Sequence, residues 1–151
     1  MGDHELEALS ARLERLEADR AIRATLFQYG LALDYGDRER FLECFTADAT
    51  YVVTLRSLDG PVLDLHGAAD LGDYFDSHTH APTAWHKHIT TNEQVVGDAD
   101  RASVVSYFIR VDADRESGPA LVHASGKYID AFVRDGDRWR ISSRRCEVEN
   151  L

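Results

Sequence analysis

The chain has 151 residues, 27 Asp plus Glu against 17 Lys plus Arg, a formal net charge of −10 and 44 % hydrophobic residues. This is the usage of one folded domain spanning 1–151, not of a disordered or fibrous chain. No apolar run approaches the roughly 18 residues of a membrane span, the N-terminus is acidic where a signal peptide is basic, and a pI near 5.0 repels a phosphate backbone, so the expected partners include no membrane and no nucleic acid and the expected location is cytoplasmic.

Leu6, Leu9, Leu13 and Leu16 recur at helical spacing and predict an amphipathic first helix. Asp19 is placed to cap a second helix carrying Ile22, Leu26, Tyr29 and Leu33, with Gly36 as its stop. Asp37 caps a short third helix with Phe41, Leu42 and Phe45, and Thr46-Ala47-Asp48 reads as a turn. From Thr50 the period changes to two. Tyr51, Val53 and Leu55 alternate, Asp59-Gly60 turns, and Val62 to His66 completes a hairpin. Gly67 to about His78 returns to helical spacing. Four alternating stretches follow, about His86–Val96, Arg101–Asp112, Ala120–Val133 and Arg138–Val148, separated by Gly97-Asp98, Glu116-Ser117-Gly118-Pro119 and Asp135-Gly136-Asp137. They read as an antiparallel meander. The fold class is therefore α+β, a curled sheet around its helices forming a cone-shaped barrel with a mainly apolar pocket.

On the strand that reads WHKHITTN, period two puts His86, His88, Thr90 and Asn92 on one face. Four polar side chains mean either a solvated face or the wall of a polar pocket. His-x-His can also supply two zinc ligands, but no third ligand stands at a fixed spacing, and Cys44 and Cys146 are far apart without a CxxC partner, so no metal and no disulfide framework is expected. Asp34 closes an apolar helix where a carboxylate opposes the helix dipole. It either lies in an exposed turn or pairs with a base, and Asp34 with His88 would make a general base. Tyr29, five residues earlier, continues the apolar stripe. Tyr51, Tyr107 and Tyr128 are strand aromatics suited to packing, Tyr51 being also a candidate to line the pocket. Arg144 and Arg145 point to opposite faces of the last strand, and either both lie on a solvated edge or one of them faces the pocket, with Arg145 the candidate for binding a substrate oxygen or acid. No Gly-rich phosphate loop, GxSxG or Cys–His nucleophile appears, which disfavours nucleotide-dependent and acyl-enzyme chemistry.

These residues, with the leader LEALSARLERLEADRAIRATLFQYGLALDYGDRERFLECFTADATY, the segment HGAADL, the strand HKHITTNEQVVGDADRASVVSYF and the ending GDRWRISSRR, resemble the SnoaL-like branch of the nuclear transport factor 2 superfamily, within it the scytalone dehydratase, lindane dehydrochlorinase and bile-acid dehydratase group. The resemblance implies a cofactor-free lyase using an Asp–His pair in a conical pocket. Position by position it implies Asp34 and His88 as that pair, His88 being placed by Thr91-Asn92, and Tyr29 as the accompanying tyrosine; His86 has no match there. His86, Asn92, Tyr51 and Arg145 are the candidates to surround the substrate. Arg144 and Arg145 lie nearer Trp139 than the bile-acid dehydratase's last-strand arginine requires. Isomerases, polyketide cyclases and non-catalytic subunits such as oxygenase β-subunits share the fold. The leucine stripe and the long outer sheet further predict burial by another subunit, and relatives form trimers or dimers.

Overall fold

In the computed structural model, which describes residues 2–113 and 118–150, the two expected N-terminal helices are one, α1 (Asp3–Tyr35). Asp19 does not cap. Its carboxylate pairs with Arg23 one turn on, at 2.8 Å, and the Glu-Ala-Asp-Arg-Ala run holds no residue that would break the helix. The stop is as read: Gly36 takes the left-handed conformation at φ 76° and returns its N–H to Ala32 O. Helix α2 (Arg38–Glu43) is capped by Asp37, which accepts from the Arg40 N–H.

The strands are β1 (Phe45–Leu55), β2 (Pro61–His66), β3 (Trp85–Gly97), β4 (Arg101–Ala113), β5 (Leu121–Asp135) and β6 (Arg138–Asn150), with α3 (Gly67–Ser77) between β2 and β3. The turn expected at Thr46-Ala47-Asp48 is instead strand, at a register shift between Phe45 and Thr50. The Glu116-Ser117 part of the turn before β5 lies outside the described residues. Strands β3 to β6 form the expected antiparallel meander, and β1 joins it parallel to β6, giving the order β2-β1-β6-β5-β4-β3. The curved sheet stays open between β2 and β3, so the cone is a wrapped sheet and not a closed barrel.

The C-terminal half of α1 lies inside this curve. Ile22, Leu26 and Leu33 meet Phe41, Phe132 and Ile141 in one core. Gly30 packs closely against β3: a Cβ built there would stand 2.8 Å from the His88 carbonyl oxygen. Alanine normally stabilises a helix interior by about 1 kcal/mol over glycine. Here it would push β3 off α1, so Gly30→Ala is expected to destabilise by about 1–3 kcal/mol, as overpacking does. A thermal melt with a raised midpoint would show the contact to be unimportant.

Candidate active site

Asp34 is buried at the end of α1 and is clamped by one residue of β3. The His88 backbone N–H donates to Oδ2 at 3.0 Å, and His88 Nδ1 stands 2.6 Å from Oδ1. These two donors compensate a carboxylate that the helix dipole disfavours. Facing an ionised carboxylate, Nδ1 carries the proton and Nε2 keeps its lone pair, the tautomer a general base requires.

Two more imidazoles surround the pair. His86 is buried with Nε2 3.8 Å from Asp34 Oδ1, too far for a hydrogen bond, and that nitrogen has no hydrogen-bond partner among the described residues. His78, directly after α3, has its ring 5.0 Å from that of His86 and 5.5 Å from that of His88. Its Nδ1 lies 2.7 Å from the Thr79 carbonyl oxygen, which again leaves Nε2 as the bare nitrogen. Burial pushes the His78 pKa down to about 4 and lowers that of His86, helped in each case by neighbouring imidazoles and the Arg110 charge. Both are neutral at pH 7. A histidine whose folded pKa is depressed gives stability present above its unfolded value near 6.5 and lost as pH falls towards the folded one. The melting temperature should therefore fall between about pH 6.5 and pH 4, and His78→Asn should flatten that fall. An identical pH profile in the variant would contradict the assignment.

On β4, His88 pairs with Arg110 and His86 with Asp112. Arg110 is held by Asp112 through two hydrogen bonds, 2.8 and 3.0 Å. His78, His88 and Arg110 are part-exposed and mark the open side of the cluster.

A chain of aromatic contacts runs from the imidazoles to the inner end of the cone. The Tyr74 ring lies 5.8 Å from His78 and 5.7 Å from Tyr51, and the Tyr51 and Tyr29 hydroxyls are 3.1 Å apart. Burial raises the pKa of all three phenols, so they are neutral donors. At the inner end, the Arg144 guanidinium lies 4.2 Å over the Tyr29 ring and 4.1 Å over the Tyr128 ring, and binds Asp130 through two hydrogen bonds of 2.9 and 2.8 Å. The interior expected to be mainly apolar is thus strongly polar along one wall.

Asp34, His88, His86, Tyr29 and Tyr51 are therefore brought into one connected cluster, and two candidates are not. Arg145 is exposed and pairs with Glu147 at 3.0 Å; Arg144 is the inward arginine. The cause is a bulge. Phe132 pairs with Ile141 but Ala131 with Ser143, so Ser142 is extra and the alternation changes phase after Ile141. Asn92 is lost in the same way. The register shifts between Thr91 and Gln94, Asn92 takes φ 56°, and its exposed side chain accepts from Thr91 Oγ1. Sequence reasoning missed His78, Tyr74, Arg110 and the Arg144–Asp130 pair. For His78 a signal existed, since it shares the helical stripe of Leu71, Tyr74 and Phe75; nothing local marks Arg110.

Asp34, His86 and His88 each present a ligand atom, all within 4.8 Å of one another. Two imidazoles and a carboxylate suit a divalent transition metal. An ion shared by Asp34 and His88 would have to displace the proton of their 2.6 Å hydrogen bond. Grooves lie elsewhere, one of about 660 Å³ beside α2 lined by Arg38, Leu42, Phe45 and Arg140, one between β1 and β6 lined by Leu55, Arg56 and Val148, and one on the outer face of α1.

The fold agrees with the comparison to known families: a SnoaL-like domain model matches residues 14–145, and the chain belongs to that family. Among solved structures it is similar to a nuclear transport factor 2-like protein with a cystatin-like fold from Novosphingobium aromaticivorans, at 25 % identity over 97 % of this chain and 92 % of that one, TM-score 0.82. It is also similar to the β-subunit of a candidate aromatic-ring-hydroxylating dioxygenase from N. aromaticivorans DSM 12444 (24 % identity, 89 % and 90 % covered, TM-score 0.76) and to a candidate scytalone dehydratase from the same organism (19 %, 89 % and 86 %, 0.74). No functionally curated protein sequence matches it.

Proposed function

We infer that this SnoaL-like protein is a cofactor-independent lyase of the dehydratase type, acting on a small, largely apolar cyclic or polyketide-like substrate that bears a carbonyl or a leaving group. The observation that supports this best is the buried 2.6 Å contact between Asp34 and His88 Nδ1. His88 Nε2 takes an acidic C–H proton, and Asp34 stabilises the imidazolium. The electrons of that C–H bond form the new double bond as the C–O bond to the leaving hydroxyl breaks. The neutral phenols of Tyr29 and Tyr51 donate to the developing oxyanion or protonate the departing group, releasing water. His86 and Tyr51 line the substrate, and Arg144 replaces Arg145 as the inward cation.

The same reading has the chain working as one domain, 1–151, in the cytoplasm, as a trimer or dimer and without nucleic acid. No helix among the described residues is long and apolar enough to cross a membrane. Likeness to a candidate scytalone dehydratase supports elimination. Isomerisation or polyketide cyclisation would use the same proton transfer. Likeness to a dioxygenase β-subunit favours one other reading, a non-catalytic subunit.

A panel of cyclic β-hydroxy ketones and hydroxylated polyketide analogues, followed by the absorbance of the new conjugated bond, tests the proposal. Consumption that persists in EDTA and vanishes in His88→Ala is expected. No turnover by the wild type, together with co-purification of an oxygenase α-subunit, would support the subunit reading instead.

A further inference from the structure

Helix α1 is about 50 Å long at 1.5 Å per residue, and only its second half is held by the body. Every residue from 3 to 17 is exposed. An isolated helix of about 15 residues is marginal in water, so this arm needs a packing partner. The same face of the helix carries apolar residues beyond the arm as well. After an interruption at the exposed Arg20 and at Arg23, which is paired with Asp19 and Glu93, the outward face of the same helix that carries Leu6, Leu9, Leu13 and Leu16 resumes with Phe27, Leu31 and Tyr35, all seven apolar residues between 48 % and 67 % exposed. At 100° per residue these positions fall within an arc of about 100°, the width of a packing stripe.

We propose that this face pairs with the same face of a second copy of the chain, the two α1 helices running parallel and in register. The leucines set the register, with Leu6 and Leu13 at the first and Leu9 and Leu16 at the second core position of two heptads. The flanking charges set the direction. In the parallel arrangement a residue flanking the seam faces the residue five further along the partner, which places Arg12 opposite Glu17 of the second copy, twice per dimer. An antiparallel pairing of the same leucine layers brings Arg12 against Arg12 and puts Glu5 near Asp19 and Asp3 near Glu17, like charges throughout. Arg12 and Glu17 are both exposed on the arm, Glu17 at the edge of a groove that it shares with Arg134, Asp137 and Trp139.

Sedimentation of the full chain tests the pairing. The wild type should have twice the mass of the Leu9→Glu/Leu13→Glu variant, with unchanged near-ultraviolet circular dichroism because Leu9 and Leu13 are exposed on the arm. At low salt, Arg12→Glu alone and Glu17→Arg alone should each weaken association about tenfold or more, and the double exchange Arg12→Glu/Glu17→Arg should restore it. Equal masses for wild type and the leucine variant would overturn the proposal. So would a double exchange as weak as the single variants, or a Glu17→Arg variant that associates more strongly than wild type, the result of an antiparallel pairing in which residue 17 faces Asp3 of the second copy.

Discussion

Asp34→Asn is expected to lower kcat/KM nearly as far as His88→Ala, by about 10²–10⁴-fold, the usual worth of a positioned general base. Two donors meet at this carboxylate, the His88 backbone N–H and Nδ1. An asparagine keeps the shape and can still accept from the backbone N–H with its carbonyl. Its amide NH₂ then faces Nδ1, which must become an acceptor, so the proton moves to Nε2. The imidazole keeps its place and loses its lone pair where the substrate needs it, and it also loses the anion that stabilises its charged form. Folding should survive, because the substituted amide would remain hydrogen-bonded. Far-ultraviolet circular dichroism checks that, and a rate within twofold of wild type would remove the pair from the mechanism.

The second large effect is structural. Arg144 and Asp130 are fully buried and bound to each other, with Arg144 between two tyrosine rings. Removing one partner leaves an uncompensated buried charge, which costs about 3–5 kcal/mol. That is a large part of the 5–15 kcal/mol by which a domain is stable. Arg144→Met should therefore lower the melting temperature by roughly 6–20 °C for a chain of this size. Asp130→Leu combined with Arg144→Met should recover much of the loss, because replacing a buried pair by apolar side chains of similar volume is often close to neutral. A single variant that melts within 2 °C of wild type would show water reaching the pair.

The helices and meander were legible because hydrophobic period is local: Leu26, Tyr29 and Leu33 announce their helix, and Gly36 and Asp37 punctuate it. Asp34 and His88 were legible as residue types, through resemblance, and their contact follows from Gly30, whose missing side chain lets β3 approach α1. Parity was not legible. A β-bulge inserts one residue and turns every later side chain to the opposite face, so Arg144 took the place read for Arg145 and Asn92 left the pocket wall. Nor was the joining of His78 and Arg110 to His86 visible, since it depends on where α3 delivers the chain against β3 and β4. The continuity of α1 through Asp19 was a matter of competition, in which pairing with Arg23 replaced capping.

Proton abstraction from carbon by His88 is the step on which the proposed chemistry depends, and deuterium wash-in measures it most directly. A cyclic ketone that carries the acidic C–H but no leaving group is incubated with the protein in D₂O and followed by proton NMR. Exchange at that carbon by the wild type, lost in His88→Ala and strongly reduced in Asp34→Asn, is the result predicted. Exchange at the same rate in all three proteins, or turnover of a true substrate with no wash-in and no dependence on His88, would contradict it.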